Sequence, residues 1–298
     1  MFTRLILALF VFTVAAFGEE TYEIRLVRPM KAGDRFDVSA KVAFEDAVST
    51  SFDGAPIEEN KTVAACRLTG ELSIVAVTTK GLPKDLRVKL KTVECVEDGK
   101  PAEFFKVGDE LRLRKSEPDN IAEVNGEAAD EIQAQIIESL LSVEDDGEVT
   151  DDDVFGTSEK VKVGGEWPVN EKAAVADMAR YAVKGLEPAG VNGRTKLLRV
   201  STFENQPALL LRLEMKIDGK GVSLGSLPEN VKATRFHTEF SEEMDLPVDL
   251  AATGGHSKGM VAMEVDGAGK AERGGVEVQV GVKIRRRVAT DTTAIQVK

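Results

Sequence analysis

The sequence predicts a β-rich α+β fold, built of antiparallel sheet with two principal helices. Three observations carry that expectation. Apolar residues alternate with polar ones over several separate runs, the period of strands with one buried face. Connections between those runs are of hairpin length, too short for crossover helices, so neighbouring strands run antiparallel. A helical period replaces the alternation in only two places.

The first eighteen residues stand apart from the fold. Met1-Phe2-Thr3-Arg4 reads as a positive n-region, Leu5 to Phe17 as an apolar h-region, and Ala16-Phe17-Gly18 puts small residues before a cut at Glu19. That apolar run is too short to span a bilayer comfortably, and no later run is long and apolar enough to cross one. No cysteine follows the h-region, so no lipoprotein anchor is expected. The mature chain is expected to be secreted or periplasmic, with the signal peptide cleaved after Gly18.

Tyr22, Ile24 and Leu26 predict a first strand, and Phe36, Val38, Ala40, Val42 and Phe44 a second. Asp46 to Lys61 is polar, holds Asp53-Gly54 and Pro56, and reads as a loop or wide turn. Leu72, Ile74 and Ala76, then Leu86, Val88 and Leu90, alternate on either side of a turn at Lys80-Gly81-Leu82-Pro83. Pairing Leu72 with Leu90 and Ile74 with Val88 sets Cys66 opposite Val96, and a one-residue bulge near Lys91-Thr92 brings Cys95 there instead. In an oxidising compartment this predicts a Cys66–Cys95 disulfide, worth roughly 2–4 kcal/mol. Two free buried thiols are the alternative.

Phe104 to Arg114 and Ile121 to Val124 read as short strands. Past Asn125-Gly126, the residues Ala129, Ile132, Ile136, Ile137, Leu140 and Leu141 fall at helical spacing, predicting a helix from about Ala128 to Ser142 with its apolar stripe on a sheet. Val143 to Asp153 is the most acidic run. A calcium loop there would need a closing Glu and alternate carboxylates around a central Gly, but Gly147 would put Ser142 at the first ligand position. Residues 143–158 are therefore expected to be a solvated acidic linker between an N-terminal half, 19–142, and a C-terminal half, 159–298.

The C-terminal half opens with Glu159 to Trp167, expected as a strand holding the chain's single tryptophan. Looser copies of its Lys-Val-Gly-Gly turn occur at Lys31-Ala32-Gly33-Asp34 and Lys106-Val107-Gly108-Asp109. Trp167 is expected to be a core anchor whose truncation to alanine costs roughly 3–5 kcal/mol. Asn170 to Lys184, with Ala173, Ala176, Ala179, Tyr181 and Val183, predicts the second helix, stopped by Gly185. Beyond it everything reads as strand. Lys196 to Phe203 and Ala208 to Ile217 flank a turn at Glu204-Asn205, and Val231 to Leu246 follows. Met260 to Val265 and Val276 to Arg287 flank an Asp266-Gly267-Ala268-Gly269 turn, with Ala294 to Val297 as a last edge strand.

The order of these elements resembles a family of uncharacterised secreted bacterial proteins of unknown function that carry a Val-Gly-Asp-x-Trp signature. The matching residues here are Val163, Gly164, Gly165, Glu166 and Trp167, with Gly165 where the family has Asp. Asn125-Gly126 and Val265 to Lys270 also fit its pattern. By fold-level analogy the architecture is similar to the half-barrel lipoprotein carriers of the bacterial envelope, which implies a curved sheet cradling apolar chains beneath helices. The resemblance brings no active-site residues.

Composition narrows the function classes. The 298 residues carry a formal net charge of −12, which repels nucleic acid and anionic membrane surfaces. Gly221-Val222-Ser223-Leu224-Gly225 matches the nucleophile-elbow pattern, with His237 and His256 downstream, but a serine hydrolase needs a helix after Ser223 where a β pattern follows. Two histidines and two cysteines make no zinc set of the usual spacing, and no phosphate-binding loop occurs. His237 is expected to be exposed on a strand, His256 to lie in a loop, and Arg285-Arg286-Arg287 to be a solvated face. No cofactor and no catalytic residue are expected. The expectation is an exported, non-catalytic protein that binds an apolar small molecule in a curved sheet, or meets an envelope protein as a scaffold.

Overall fold

The computed structural model describes residues 20–116, 119–147, 149–180, 183–225, 227, 230–273 and 276–297. The expected signal peptide and Tyr181 lie outside these residues. The first strands are β1 (Thr21–Tyr22), β2 (Arg35–Phe52), β3 (Ala55–Val77), β4 (Pro83–Glu97), β5 (Lys100–Pro101), β6 (Glu110–Ser116), β7 (Asp119–Val124) and β8 (Glu127–Ala128). Helices α1 (Glu131–Leu140) and α2 (Asp151–Phe155) follow, then β9 (Val161–Lys162), β10 (Glu166–Pro168), α3 (Glu171–Arg180) and β11 (Val183–Lys184). The chain finishes with β12 (Val191–Phe203), β13 (Gln206–Gly219), β14 (Ser223–Leu224), β15 (Val231–Pro247), β16 (Gly254–Arg273) and β17 (Val276–Gln296). The expected β-rich antiparallel α+β class is what is found, in an open, curved sheet.

One sheet of thirteen strands runs through both halves in the order β10-β12-β13-β15-β16-β17-β2-β3-β4-β6-β7-β8, with β5 on β4. The join is β17 against β2, antiparallel from Gln296↔Phe36 to Val280↔Phe52. Helices cover one face, and beneath them lie two cores. One holds Phe36, Val42, Leu68, Ile74, Leu113, Ile136 and Ile137. The other holds Ile24, Phe155, Leu197, Leu211, Leu213, Ile217 and Phe236. Both seam strands serve both cores, because Val42 and Ala294 face the first while Phe52, Val282 and Ile284 face the second.

Local chemistry explains most elements. Helix α1 is capped by Asp130, whose carboxylate accepts from the Gln133 amide while the Gln133 side chain accepts from the Asp130 amide, a reciprocal cap that fixes the start at Glu131, three residues later than expected. The hairpin turn Glu204-Asn205 has both residues at positive φ, 47° and 61°, the pair a type I′ turn demands. The three Lys-x-Gly copies share one turn. Gly33, Gly108 and Gly164 all have φ near +90°, and Asp34, Asp109 and Gly165 each donate a backbone N–H to the lysine carbonyl three residues earlier. Asp34 and Asp109 also accept from the amides of Lys31 and Lys106 at 2.8 and 2.7 Å. Gly165 breaks the pattern because a Cβ there would stand 2.5 Å from Val161 Cγ1.

Several expectations are corrected. Asp46 to Lys61 is no loop, since β2 and β3 stay paired to a tight turn at Asp53-Gly54. The polar sequence reflects a β3 arm exposed from Ala55 to Lys61, while Val48 and Phe52 on the β2 arm pack against the second core. The Asp266-Gly267-Ala268-Gly269 turn and the Gly254–Gly259 loop both lie within β16. There Gly269 admits the neighbouring backbone, since a Cβ would fall 2.2 Å from the Asn230 carbonyl. Of the predicted strand Phe104 to Arg114 only the part from Glu110 forms, and Ile24 and Leu26 are buried without being in a strand. Trp167 and Val161 stand on two short strands, β10 and β9, rather than on one. The second helix ends at Arg180, and Val183 and Lys184 pair with Leu224 and Ser223 instead.

Residues 143–158 are not a solvated linker. Thr150 caps α2, and Val143, Val154 and Phe155 are buried. Carboxylates in the run are spent on named partners. Asp146 accepts from the Thr79 amide and hydroxyl at 2.8 and 2.6 Å, Asp145 lies 2.5 Å from Lys84 Nζ, and Glu144 lies 2.8 Å from Arg180. Charge repulsion along the run is offset by these contacts with both halves of the chain.

Candidate functional site: an apolar cavity beneath the acidic segment

The extended stretch Ile24 to Met30 crosses the inner face as a strap. The amides of Leu26 and Val27 donate to Asp152 at 2.7 and 3.4 Å, Arg28 Nη2 donates to the Pro247 carbonyl at 2.8 Å, and the Met30 amide donates to Gly81 O at 2.8 Å. The strap therefore ties the N-terminal hairpin, the acidic segment and the end of β15 together.

Between strap, α1 and sheet lies a cavity of about 330 Å³. Its sheet wall comes from inward positions of β2, β3, β4 and β6, including Ala40, Leu68, Leu72 and Leu90, and its roof from Ile137 and Leu140 of α1 and from Leu141, which ends that helix. Strand periodicity places the wall residues on one face, and helical periodicity aims the roof at them. The charged members Arg28, Glu144 and Asp151 come from the strap and the acidic segment, and the hydroxyls of Thr69 and Thr292 from the sheet.

Asp151 has its side chain open to the cavity yet ringed by protein, and its carboxyl is pushed up to about 6 by desolvation first, then by Asp177 and Asp152, with Arg180 opposing. Glu242 on β15 is also raised by desolvation and by Asp151, while a hydrogen bond from Ser257 works the other way. A carboxyl with a folded pKa of about 6 against an ordinary 3.8 favours folding at low pH, and that contribution fades as pH rises from about 4 through 6. Asp151→Asn should remove the penalty. Discounted for water in the cavity, the variant should gain ~1 kcal/mol over wild type at pH 7.5 and nothing near pH 4, read as paired urea midpoints. Equal gains at both pH values would mean that the carboxyl is not shifted.

The cysteines stand directly opposite each other, Cys66↔Cys95, with sulfurs 2.04 Å apart and both residues buried in the first core. Leu72 pairs with Val88 and Ile74 with Leu86, two residues from the expected register, because the turn centres on Lys80 and closes from Thr78 to Leu82. A bulge at Lys91, close to the expected place, corrects the offset by one and aligns the sulfurs.

Trp167 is half-buried against the second core, and its indole Nε1 donates to the Phe155 carbonyl at 2.7 Å, where Thr195 Oγ1 also donates at 3.0 Å. Val163 is exposed, and the Gly164 amide donates to Leu197 O at 2.7 Å. The signature is thus a structural clasp, distant in sequence from every residue lining the cavity except the α2 start.

Ser223 is exposed on β14, and the next element is β15 rather than a helix, so the nucleophile-elbow context is missing. The histidines turn to carboxylates. His237 Nδ1 lies 2.8 Å from Asp218 Oδ1, and His256 Nε2 lies 3.2 Å from Asp291 Oδ1. His237 is half-buried and His256 sits on a strand, where exposure and a loop were expected. Arg286 pairs with Asp46 on the adjacent strand. Among the described residues no group of three His, Cys, Asp or Glu could hold a metal ion, and no helix is long and apolar enough to cross a membrane. Sequence reasoning anticipated a cavity between sheet and helix but missed Arg28 and Asp151, because a lone arginine before a proline and one aspartate in an acidic run carry no periodic signal.

No family model matches the chain, and no curated protein matches it. Among solved structures it is similar at 8% identity to MucB in complex with MucA(peri), over 81% of this chain and 87% of that one, with a TM-score of 0.14. It is also similar at 8% identity to the P. putida toluene transporter TodX, over 90% of this chain and 91% of that one, with a TM-score of 0.13. Likenesses this slight carry no argument.

Proposed function

We propose that this chain is an exported, non-catalytic protein that binds an apolar ligand in the cavity between the sheet, α1 and the strap. The observation that carries the reading is the cavity itself. At about 330 Å³ it falls at the lower end of the range of small-molecule sites, ~300–1,000 Å³, and it shares their chemistry, an apolar wall with a few charged groups gathered in one place. An apolar pocket left unfilled forfeits dispersion contacts that a hydrocarbon ligand would recover. Export is supported by the leader-like first eighteen residues and by the paired cysteines, which persist in oxidising compartments.

Incubation with a bacterial lipid extract followed by native mass spectrometry tests the reading. A bound apolar adduct is expected. Ala40, which is 7% exposed on β2 and lines the cavity, supplies the control. Ala40→Phe should lower adduct occupancy at least tenfold while leaving the melting midpoint within a few degrees, because a filled cavity recovers packing. Absence of any adduct on the wild-type chain, or undiminished adduct on Ala40→Phe, would remove the cavity as the site.

A further inference from the structure

Arg28 is the unexplained group at this site, and what it could recognise rests on the apolar-ligand reading above. Its side chain is 93% covered (7% exposed) and lines the cavity, Nη2 donates to Pro247 O, and Nε and Nη1 are buried with no hydrogen-bond partner. A guanidinium carries five N–H donors and rarely leaves them unused away from water.

Two chemistries could engage those donors, an anion or a neutral acceptor, and the surroundings separate them. Burial works against the Arg28 charge more strongly than Asp152, Asp249 and Glu23 support it through space, and Asp152 spends its oxygens on the Leu26 and Val27 amides. Glu144 and Asp151 line the cavity as well, two carboxylates that share the cation Arg180. A carboxylate headgroup would enter a neighbourhood where negative charge is in surplus. What the site lacks is an acceptor without charge.

We infer that the cavity takes a single acyl chain joined through a neutral ester or amide carbonyl, with Arg28 donating to that carbonyl while the hydrocarbon lies along Leu68, Leu72, Leu90 and α1. In this reading Nη2 stays on the Pro247 carbonyl while Nε and Nη1, the two nitrogens without a partner, supply the donor to the ligand carbonyl. The inference explains why an arginine with donors to spare sits at the rim of a mostly apolar wall. It also assigns the strap a part in recognition as well as in covering the ligand.

The test compares three probes with the same chain length on the full chain at pH 8: methyl laurate, laurate and dodecane, each displacing a fluorescent apolar dye. Methyl laurate should bind at least tenfold tighter than dodecane and than laurate, the ratio a hydrogen bond to a charged donor supports. Arg28→Met should bring methyl laurate down to the dodecane level while dodecane itself moves less than threefold. Arg28→Lys, which keeps a charged donor, should fall between. The ranking in the wild-type chain needs no variant to fold. Laurate binding tighter than its ester would overturn the inference in favour of an anion site. Methyl laurate no tighter than dodecane would remove Arg28 as the recognising group and leave the apolar site standing. Binding of none of the three would remove the apolar-ligand reading and the inference together.

Discussion

Replacing both Cys66 and Cys95 by alanine is expected to lower the unfolding free energy by about 3–4 kcal/mol. The cross-link closes a loop with a sequence separation of 29, and losing it returns to the unfolded chain a conformational entropy worth roughly that much at 25 °C. Each sulfur is also buried in the first core, so alanine leaves a small void beside Phe44 and Leu68. Neither effect depends on the ladder, since Cys66 and Cys95 already sit opposite each other on paired strands and the backbone bonds persist. Urea unfolding of wild type and variant under the same oxidising buffer measures the difference. A change below about 1 kcal/mol would mean that the cross-link does not restrain the unfolded chain.

Trp167→Ala is expected to cost about 3 kcal/mol, the low end for truncating a tryptophan, because the ring is half-buried rather than enclosed. Part of the loss is packing against the second core. The rest is the indole N–H donated to the Phe155 carbonyl, which leaves Thr195 as that oxygen's remaining partner. Phe155 in turn packs its ring 5.4 Å from that of Phe240 on β15, so loosening the clasp reaches the sheet. Trp167→Phe keeps most of the packing and should cost ~1 kcal/mol, which isolates the hydrogen bond. A melting midpoint unchanged in Trp167→Ala would show that the ring contributes no packing.

The two variants probe different cores, yet both should shift one cooperative transition. Seam strands β17 and β2 each bury side chains in both cores and pair along their whole common length. Melting one core exposes the inward face of strands the other needs. Two separate transitions by calorimetry would show that the halves part at the seam.

Much of the fold was legible in the alternation itself. Leu209, Leu211, Leu213 and Ile217 form a buried face on β13 as their spacing predicts, and Val280, Val282 and Ile284 do so on β17. Val276 shares that parity but is 62% exposed, because the strand there has run past the core. Alternation reports which side a residue faces, not how far the covering layer extends. The same limit explains the misread polar arms of β2 and β3 and the glycines of β16, which looked like turns but serve close approach of neighbouring backbones.

The candidate site was legible only as an expectation of space between sheet and helix. The residues that give it chemical character come from places where sequence carries no period: Arg28 on the strap, and Asp151 and Glu144 in an acidic run that reads as solvated. Seven carboxylates in a row of eleven residues repel one another in an isolated segment, and local reasoning stops there. Tertiary structure supplies Arg180, Lys84, Thr79 and the strap amides as partners, and so turns the run into a bridge. By itself the sequence determined the antiparallel class, the inward faces of β13 and β17, the existence of the first helix and the pairing of its cysteines, all of which rest on contacts between residues close in the chain or on a short period. The three-dimensional structure alone decided that one sheet joins the halves, that the acidic run is buried at its end, and that an arginine far from any motif faces an apolar cavity, because each depends on elements more than a hundred residues apart meeting across the same face.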